Sequence, residues 1–137
     1  MNGWLEQSAA RTVLIGPFLD ESDATTPETA LTIAQADVRL SKNAGDMAQK
    51  NYAAACVHDE LGYYTCGLDA TDTATAGILT LAVAEAGALR VRHDYLVVPG
   101  HVYGGLVDST DTLNVDMHYQ NGSEWTGDGS TTPFTIA

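Results

Sequence analysis

The residues of this chain that could do chemistry are few: four histidines, two cysteines and some closely spaced carboxylates. His58, His93, His101 and His118 stand singly, and no two have the spacing that lets imidazoles share a metal on a helix. His58-Asp59-Glu60 has the composition of a cation site. On a strand and its turn, however, adjacent side chains diverge, so the triplet is expected to be solvated turn polarity. His93 precedes Asp94 but shares a strand face with Val91, Tyr95 and Val97, which predicts a half-buried packing role. The pairs Asp20 with Asp23, Asp69 with Asp72, and Asp108 with Asp111 have the makings of glycosidase acid-base chemistry or of a calcium loop. Their Thr- and Ser-rich surroundings predict Asx and capping turns instead, and the ordered D-x-[DN]-x-[DN]-G spacing is missing. No G-x-S-x-G elbow presents a nucleophile, and no glycine loop is arranged for phosphate. The reading is a non-enzymatic chain with no catalytic, cofactor-binding or metal residues.

Cys56 and Cys66 flank a turn centred near Leu61, which can place them opposite each other across two strands. A cross-strand disulfide is geometrically open to them. Two reduced, half-buried thiols are the expectation for a product of the cytoplasm.

The elements that position these residues read as short strands. Thr12 to Phe18 is a continuous apolar run ended by Gly16-Pro17, the pattern of a buried strand. Thr26-Pro27 followed by ALTIAQADVRL fits a capped helix and, equally, two strand pieces broken near Gln35. Lys42-Asn43-Ala44-Gly45 is a turn in which Asn43 and Gly45 can take positive φ cheaply. Asp46 to Asn51 returns as a polar edge strand that Asp46 and Lys50 would blunt with charge. Tyr63 to Leu68 places Tyr64, Cys66 and Leu68 on one face. Ile78 to Glu85 places Leu79, Leu81 and Val83 together, and Leu89 to Val98 is its antiparallel return. His101 to Asp108 is expected to make a helical turn. Thr112 to Gln120 has the cleanest period-2 alternation, with Leu113, Val115, Met117 and Tyr119 facing one way. The fold class predicted is all-β, an Ig-like antiparallel sandwich of seven to nine short strands. Residues 1–10 are an N-terminal arm, 11–120 the sandwich, and 121–137 a C-terminal tail or terminal strand.

The chain has 137 residues, 45% hydrophobic, and carries a formal charge of -12. That length suits one domain with its own core. The charge repels phosphate backbones and anionic lipid, so neither nucleic acid nor a membrane is an expected partner. No apolar run approaches a membrane span. The N-terminal stretch lacks a basic start, and Glu6-Gln7 interrupts it, so it does not read as a signal peptide. Candidate interaction residues are the large apolar groups of the termini: Trp4 and Leu5 in the arm, and Trp125, Phe134 and Ile136 in the tail. Trp4 and Leu5 either dock on a neighbour or fold back onto the core. Phe134-Thr135-Ile136 could pair with a neighbour's open edge.

Several phrases carry a family resemblance: Gly3-Trp4-Leu5, ARTVLIGPFLD (Ala10 to Asp20), LTIAQADVRLSKN (Leu31 to Asn43), AQKN (Ala48 to Asn51), HDELGYYTC (His58 to Cys66), LDATDT (Leu68 to Thr73), VPGHVY (Val98 to Tyr103) and DTLNVD (Asp111 to Asp116). Through them the chain resembles the small β-sandwich module of tailed-bacteriophage virion proteins, in tail fibres, head fibres and capsid decorations. The resemblance decides for strand in Leu31 to Leu40. It implies a structural protein of the virion, made in the host cytoplasm, whose partners are other virion proteins in the capsid, tail or baseplate. It also implies homo-oligomers, trimers among them. The family's longer C-terminal region is missing, which favours a fibre-base, adaptor or decoration role over receptor binding. The alternative is a carbohydrate-binding or adhesin module meeting a host-surface glycan, with Trp125, Tyr63 and Tyr103 as its aromatic platform.

Overall fold

The computed structural model describes residues 2–110. Eight strands form two sheets, giving the sandwich-like all-β fold expected. They are β1 (Gly3–Glu6), β2 (Arg11–Ile15), β3 (Val38–Lys42), β4 (Ala48–Gln49), β5 (Val57–His58), β6 (Tyr64–Leu68), β7 (Gly77–Val83) and β8 (Val91–Val98). The larger sheet runs β1-β8-β7-β3-β4 and the smaller runs β2-β6-β5. Gly100–Tyr103 is a helical turn, α1, continued as a wider turn over Gly104–Asp108. The expected strand at Thr112 to Gln120, the tail after it, and Trp125, Phe134 and Ile136 lie outside the described residues.

Period-2 alternation explains the core. Val13 and Ile15 of β2 and Tyr64, Cys66 and Leu68 of β6 face inward. They meet Val38 and Leu40 of β3, Leu79, Leu81 and Val83 of β7, and Tyr95 and Val97 of β8 in one apolar cluster. Burying side chains of this size contributes roughly 1.5–3 kcal/mol each. Phe18 enters the same cluster fully buried, its ring edge-on to Tyr64 at 5.3 Å.

Four expectations are corrected. The N-terminal arm is a strand: β1 pairs in parallel with β8, from Gly3 against Tyr95 to Glu6 against Val98. That pairing occupies an otherwise open edge of β8 and makes the sheet mixed rather than wholly antiparallel. Leu5 therefore folds back into the core, while Trp4, one residue earlier, points out and is 41% exposed.

The second correction concerns residues 26–40. No helix follows Pro27, and no strand covers Leu31 to Ala34; a short 3-10 turn at Gln35–Asp37 leads into β3. The backbone groups find partners outside any ladder. The Tyr64 hydroxyl donates to the Glu28 carbonyl at 2.9 Å and accepts from the Leu31 N–H at 3.0 Å. The Ala34 N–H donates to the Asp37 carboxylate, and the Cys56 N–H to the Ile33 carbonyl. With these bonds made, Ile33 reaches the core as a single anchor rather than as part of an alternating face.

Third, positive φ in the β3–β4 turn falls on Asn43 and Ala44, not on Gly45. The Asn43 side chain explains this. Its Oδ1 accepts from the Ile78 N–H at 2.8 Å, and its Nδ2 donates to the Ala76 carbonyl at 3.0 Å. Glycine is required instead at Gly77, where φ is +118° and a Cβ would stand 2.0 Å from Asn43 Oδ1.

Fourth, Lys50 does not blunt an edge. It is 1% exposed.

Candidate functional site

The carboxylates singled out by spacing hold turns. Asp23 accepts the N–H groups of Thr25 and Thr26 and the Thr26 hydroxyl. Those bonds favour the ionised form and hold its carboxyl down at about 2. Asp20 accepts the N–H and hydroxyl of Ser22, which lower it in the same way. Asp69 and Asp72 are adjacent, but their oxygens are taken up by backbone and amide donors. Asp69 accepts from the Thr71 and Asp72 N–H groups and from Asn51 Nδ2. Asp72 is buried and accepts from the N–H groups of Asn51, Tyr52 and Asp69 at 2.6, 3.1 and 3.0 Å.

The β4–β5 connection, whose N–H groups Asp72 binds, begins with Lys50, which sequence reasoning placed at the surface. Its Nζ donates to the carbonyls of Tyr52 at 2.8 Å, Ala54 at 2.7 Å and Gly67 at 3.4 Å. It lies 5.1 Å from the centre of the Tyr52 ring. Gln35 Nε2 donates to the carbonyls of Lys50 and Asn51. Residues 50–54 are thus pinned from both sides, their N–H groups by a carboxylate and their carbonyls by an ammonium and an amide. No sequence signal separates this lysine from a solvated one, because its partners are backbone atoms up to 17 positions away.

The histidines do not converge. The His58 ring packs edge-on against Tyr64 at 5.1 Å. His93 is half-buried, and its Nε2 accepts from the Gly16 N–H at 3.0 Å. An acceptor nitrogen must be unprotonated. Burial is the main cause holding His93 below its ordinary 6.5, against the pull of the Asp94 carboxylate. The unfolded chain therefore takes up this proton more readily than the folded one. The contribution to stability is complete above the ordinary histidine value and is lost as pH falls through it towards the folded value. The melting temperature is expected to fall between about pH 7.5 and 5.5. His93→Gln should give a shallower slope in a thermal scan across that range. The perturbed aspartates lie below 3.8 and act only under stronger acid.

The outer face of the smaller sheet shows what the chain presents to its surroundings. Leu14 and Val57 both stand opposite Thr65, so Leu14, Thr65 and Val57 make one row across all three strands. Leu14 is 50% exposed and Val57 64%. Next to this row the Tyr52 ring lies on Gly67, where a Cβ would come within 2.5 Å of it. Beyond β2 and β5 the smaller sheet has no further strand among the described residues. Leu14 was missed because TVLI reads as a continuously buried run, whereas a strand of a sheet covered on one face only buries alternate members. Val57 sits in a two-residue strand, too short for periodicity to show.

Among the predicted interaction residues, Trp4 is exposed and Leu5 is not. Tyr103 is buried beneath the Arg11 guanidinium, which also donates to its hydroxyl, so it cannot serve in a glycan platform. Tyr63 is half-buried. Among the described residues, no three His, Cys, Asp or Glu side chains gather as a metal site, and no helix is long and apolar enough to cross a membrane. Compared with known proteins, the chain matches no family model, no curated protein and no solved structure.

Proposed function

We propose that this chain is a structural module of a tailed-bacteriophage virion, a fibre-base, adaptor or decoration protein that works by protein-protein contact. The observation that supports the reading is the apolar row Leu14-Thr65-Val57 on an outer sheet face bounded by β2 and β5. Exposed β-branched and leucine side chains in one row on a sheet mark a surface that gains by being covered. The buried polar groups fit this reading, because Lys50, Asp72 and Thr73 bond to the chain's own backbone. The partners are copies of this chain and neighbouring virion proteins, and repetition on a symmetric particle supplies avidity.

Sedimentation equilibrium over a range of concentrations tests the contact surface. The wild-type chain is expected to form defined oligomers. Leu14→Glu with Val57→Glu should hold it as a monomer of unchanged melting temperature, since both side chains face away from the core. A wild-type chain that stays monomeric and binds glycans at micromolar strength would favour the carbohydrate-binding alternative. Locating its density in a reconstructed particle tests the virion assignment itself.

A further inference from the structure

The smaller sheet holds two cysteines that the proposed function does not use. Both are free and buried. The ladder pairs Val57 with Thr65 and His58 with Tyr64, so continuing it by one residue sets Cys56 opposite Cys66. The type of that pair follows from the bonding around it. The Asp59 N–H donates to the Tyr63 carbonyl, so 59 and 63 form a hydrogen-bonded pair, and 57 and 65 are of the same type. Cys56 and Cys66 therefore fall on the non-hydrogen-bonded register, in which Cα atoms approach to about 4.5 Å and side chains are closest. The Cys56 N–H confirms the register by bonding away from β6, to the Ile33 carbonyl at 2.9 Å. A Cα separation of that size falls within the roughly 4.4–6.8 Å that a disulfide spans.

We infer that Cys56 and Cys66 are a thiol-disulfide exchange site, closed by a small-molecule disulfide such as oxidised glutathione into a cross-strand bridge that clips β5 to β6. The two thiols are not equivalent. Cys66 is fully enclosed, while Cys56 retains slight exposure one residue before the edge strand β5, next to the exposed run Ala53 to Ala55. The thiol of Cys56 is lowered, first by its hydrogen bond to Cys66 and further by the charge of Lys50, against the effect of burial. The thiol of Cys66 is raised by that same bond and by burial. Cys56 is therefore the attacking group and Cys66 the resolving one.

The steps balance without any other oxidant. The Cys56 thiolate attacks one sulfur of oxidised glutathione; that S–S bond breaks, a mixed disulfide forms, and one glutathione leaves and is protonated. Cys66 gives up its proton and attacks the Cys56 sulfur, and the second glutathione departs. Two protein thiols are oxidised by two electrons, and one glutathione disulfide is reduced to two thiols. The chemistry stands apart from the virion reading; only its timing rests on that reading, since a reducing cytoplasm keeps the pair open and release by lysis lets it close.

Intact-mass spectrometry of the native full chain, treated with oxidised glutathione, tests this. The expected product has lost the mass of two hydrogens, retains no glutathione, and returns to the dithiol with a reductant. Cys66→Ser should stop at a glutathione adduct on Cys56, and Cys56→Ser should resist modification. The inference is overturned if the native wild-type chain keeps both thiols, or retains bound glutathione, under conditions in which the chain unfolded in guanidinium reacts at both. The wild-type measurement decides the matter even where a serine variant folds poorly.

Discussion

Lys50→Met is expected to lower the unfolding free energy by roughly 2–4 kcal/mol, measured by chemical denaturation. A lysine at an exposed edge would change stability by no more than about 0.5 kcal/mol on substitution, so the two readings of this residue are well separated. The ammonium has three donors and meets three carbonyls, those of Tyr52, Ala54 and Gly67. Methionine keeps the length and apolar stem but supplies no donor. Three inward-facing oxygens would then lose their partner, and bonds to charged groups are among the stronger ones. An opposing effect limits the loss, because removing a buried ammonium also removes its desolvation cost. No carboxylate lies within salt-bridge distance of Nζ among the described residues; Arg92–Asp94 is the ion pair found there. The bonds to backbone therefore decide the sign, and the chain is destabilised. A change within about 0.5 kcal/mol would mean that water replaces the lysine and that the loop does not depend on it.

Lys50 also marks where the sequence ceased to be legible. Strands β7 and β8 could be read directly, because Leu79, Leu81 and Val83 and then Val91, His93, Tyr95 and Val97 recur at every second position between turn signals at Ala86-Gly87 and Pro99-Gly100, and a period of two is what a strand produces. The inward face of β6 was legible for the same reason. Lys50 was not, since a buried lysine and a solvated one look alike until the partners are known, and here the partners are main-chain oxygens. Ile33 was misplaced by the converse effect: its neighbours made strand or helix plausible, while side-chain bonds from Tyr64 and Asp37 satisfied the backbone in neither form. The fate of Leu5 depended on which edge of β8 stood open, and only topology reveals that. Trp4, exposed on β1 of the larger sheet, was among the interaction candidates the sequence offered, but it is not part of the surface proposed for contact. Leu14 and Val57 became visible only when the register brought both opposite Thr65.

The carboxylate of Asp72 should prove as hard to replace as Lys50, and the near-isosteric Asp72→Asn shows why. Oδ1 accepts from the Asn51 N–H, and Oδ2 accepts from the N–H groups of both Tyr52 and Asp69. Every neighbour is a donor. An asparagine amide has one oxygen and one NH2 group, so either orientation turns donors towards donors. With its oxygen towards Asn51, two backbone N–H groups lose their acceptor; with its oxygen towards Tyr52 and Asp69, one does. Leaving a buried donor unpaired costs about 1–3 kcal/mol, and asparagine cannot avoid at least one such loss. The expected result is a destabilisation of about 2–3 kcal/mol in chemical denaturation, in a variant that differs from the parent by a single group of almost the same size. Because Asp72 binds the N–H groups of residues 51 and 52 while Lys50 binds the carbonyls of 52 and 54, the two side chains hold the same few residues. Their effects should not add. Once either is removed the loop has partly detached, and the double variant is expected to lose less than the sum of the two single losses. Strict additivity would show that each side chain anchors its own part of the chain independently.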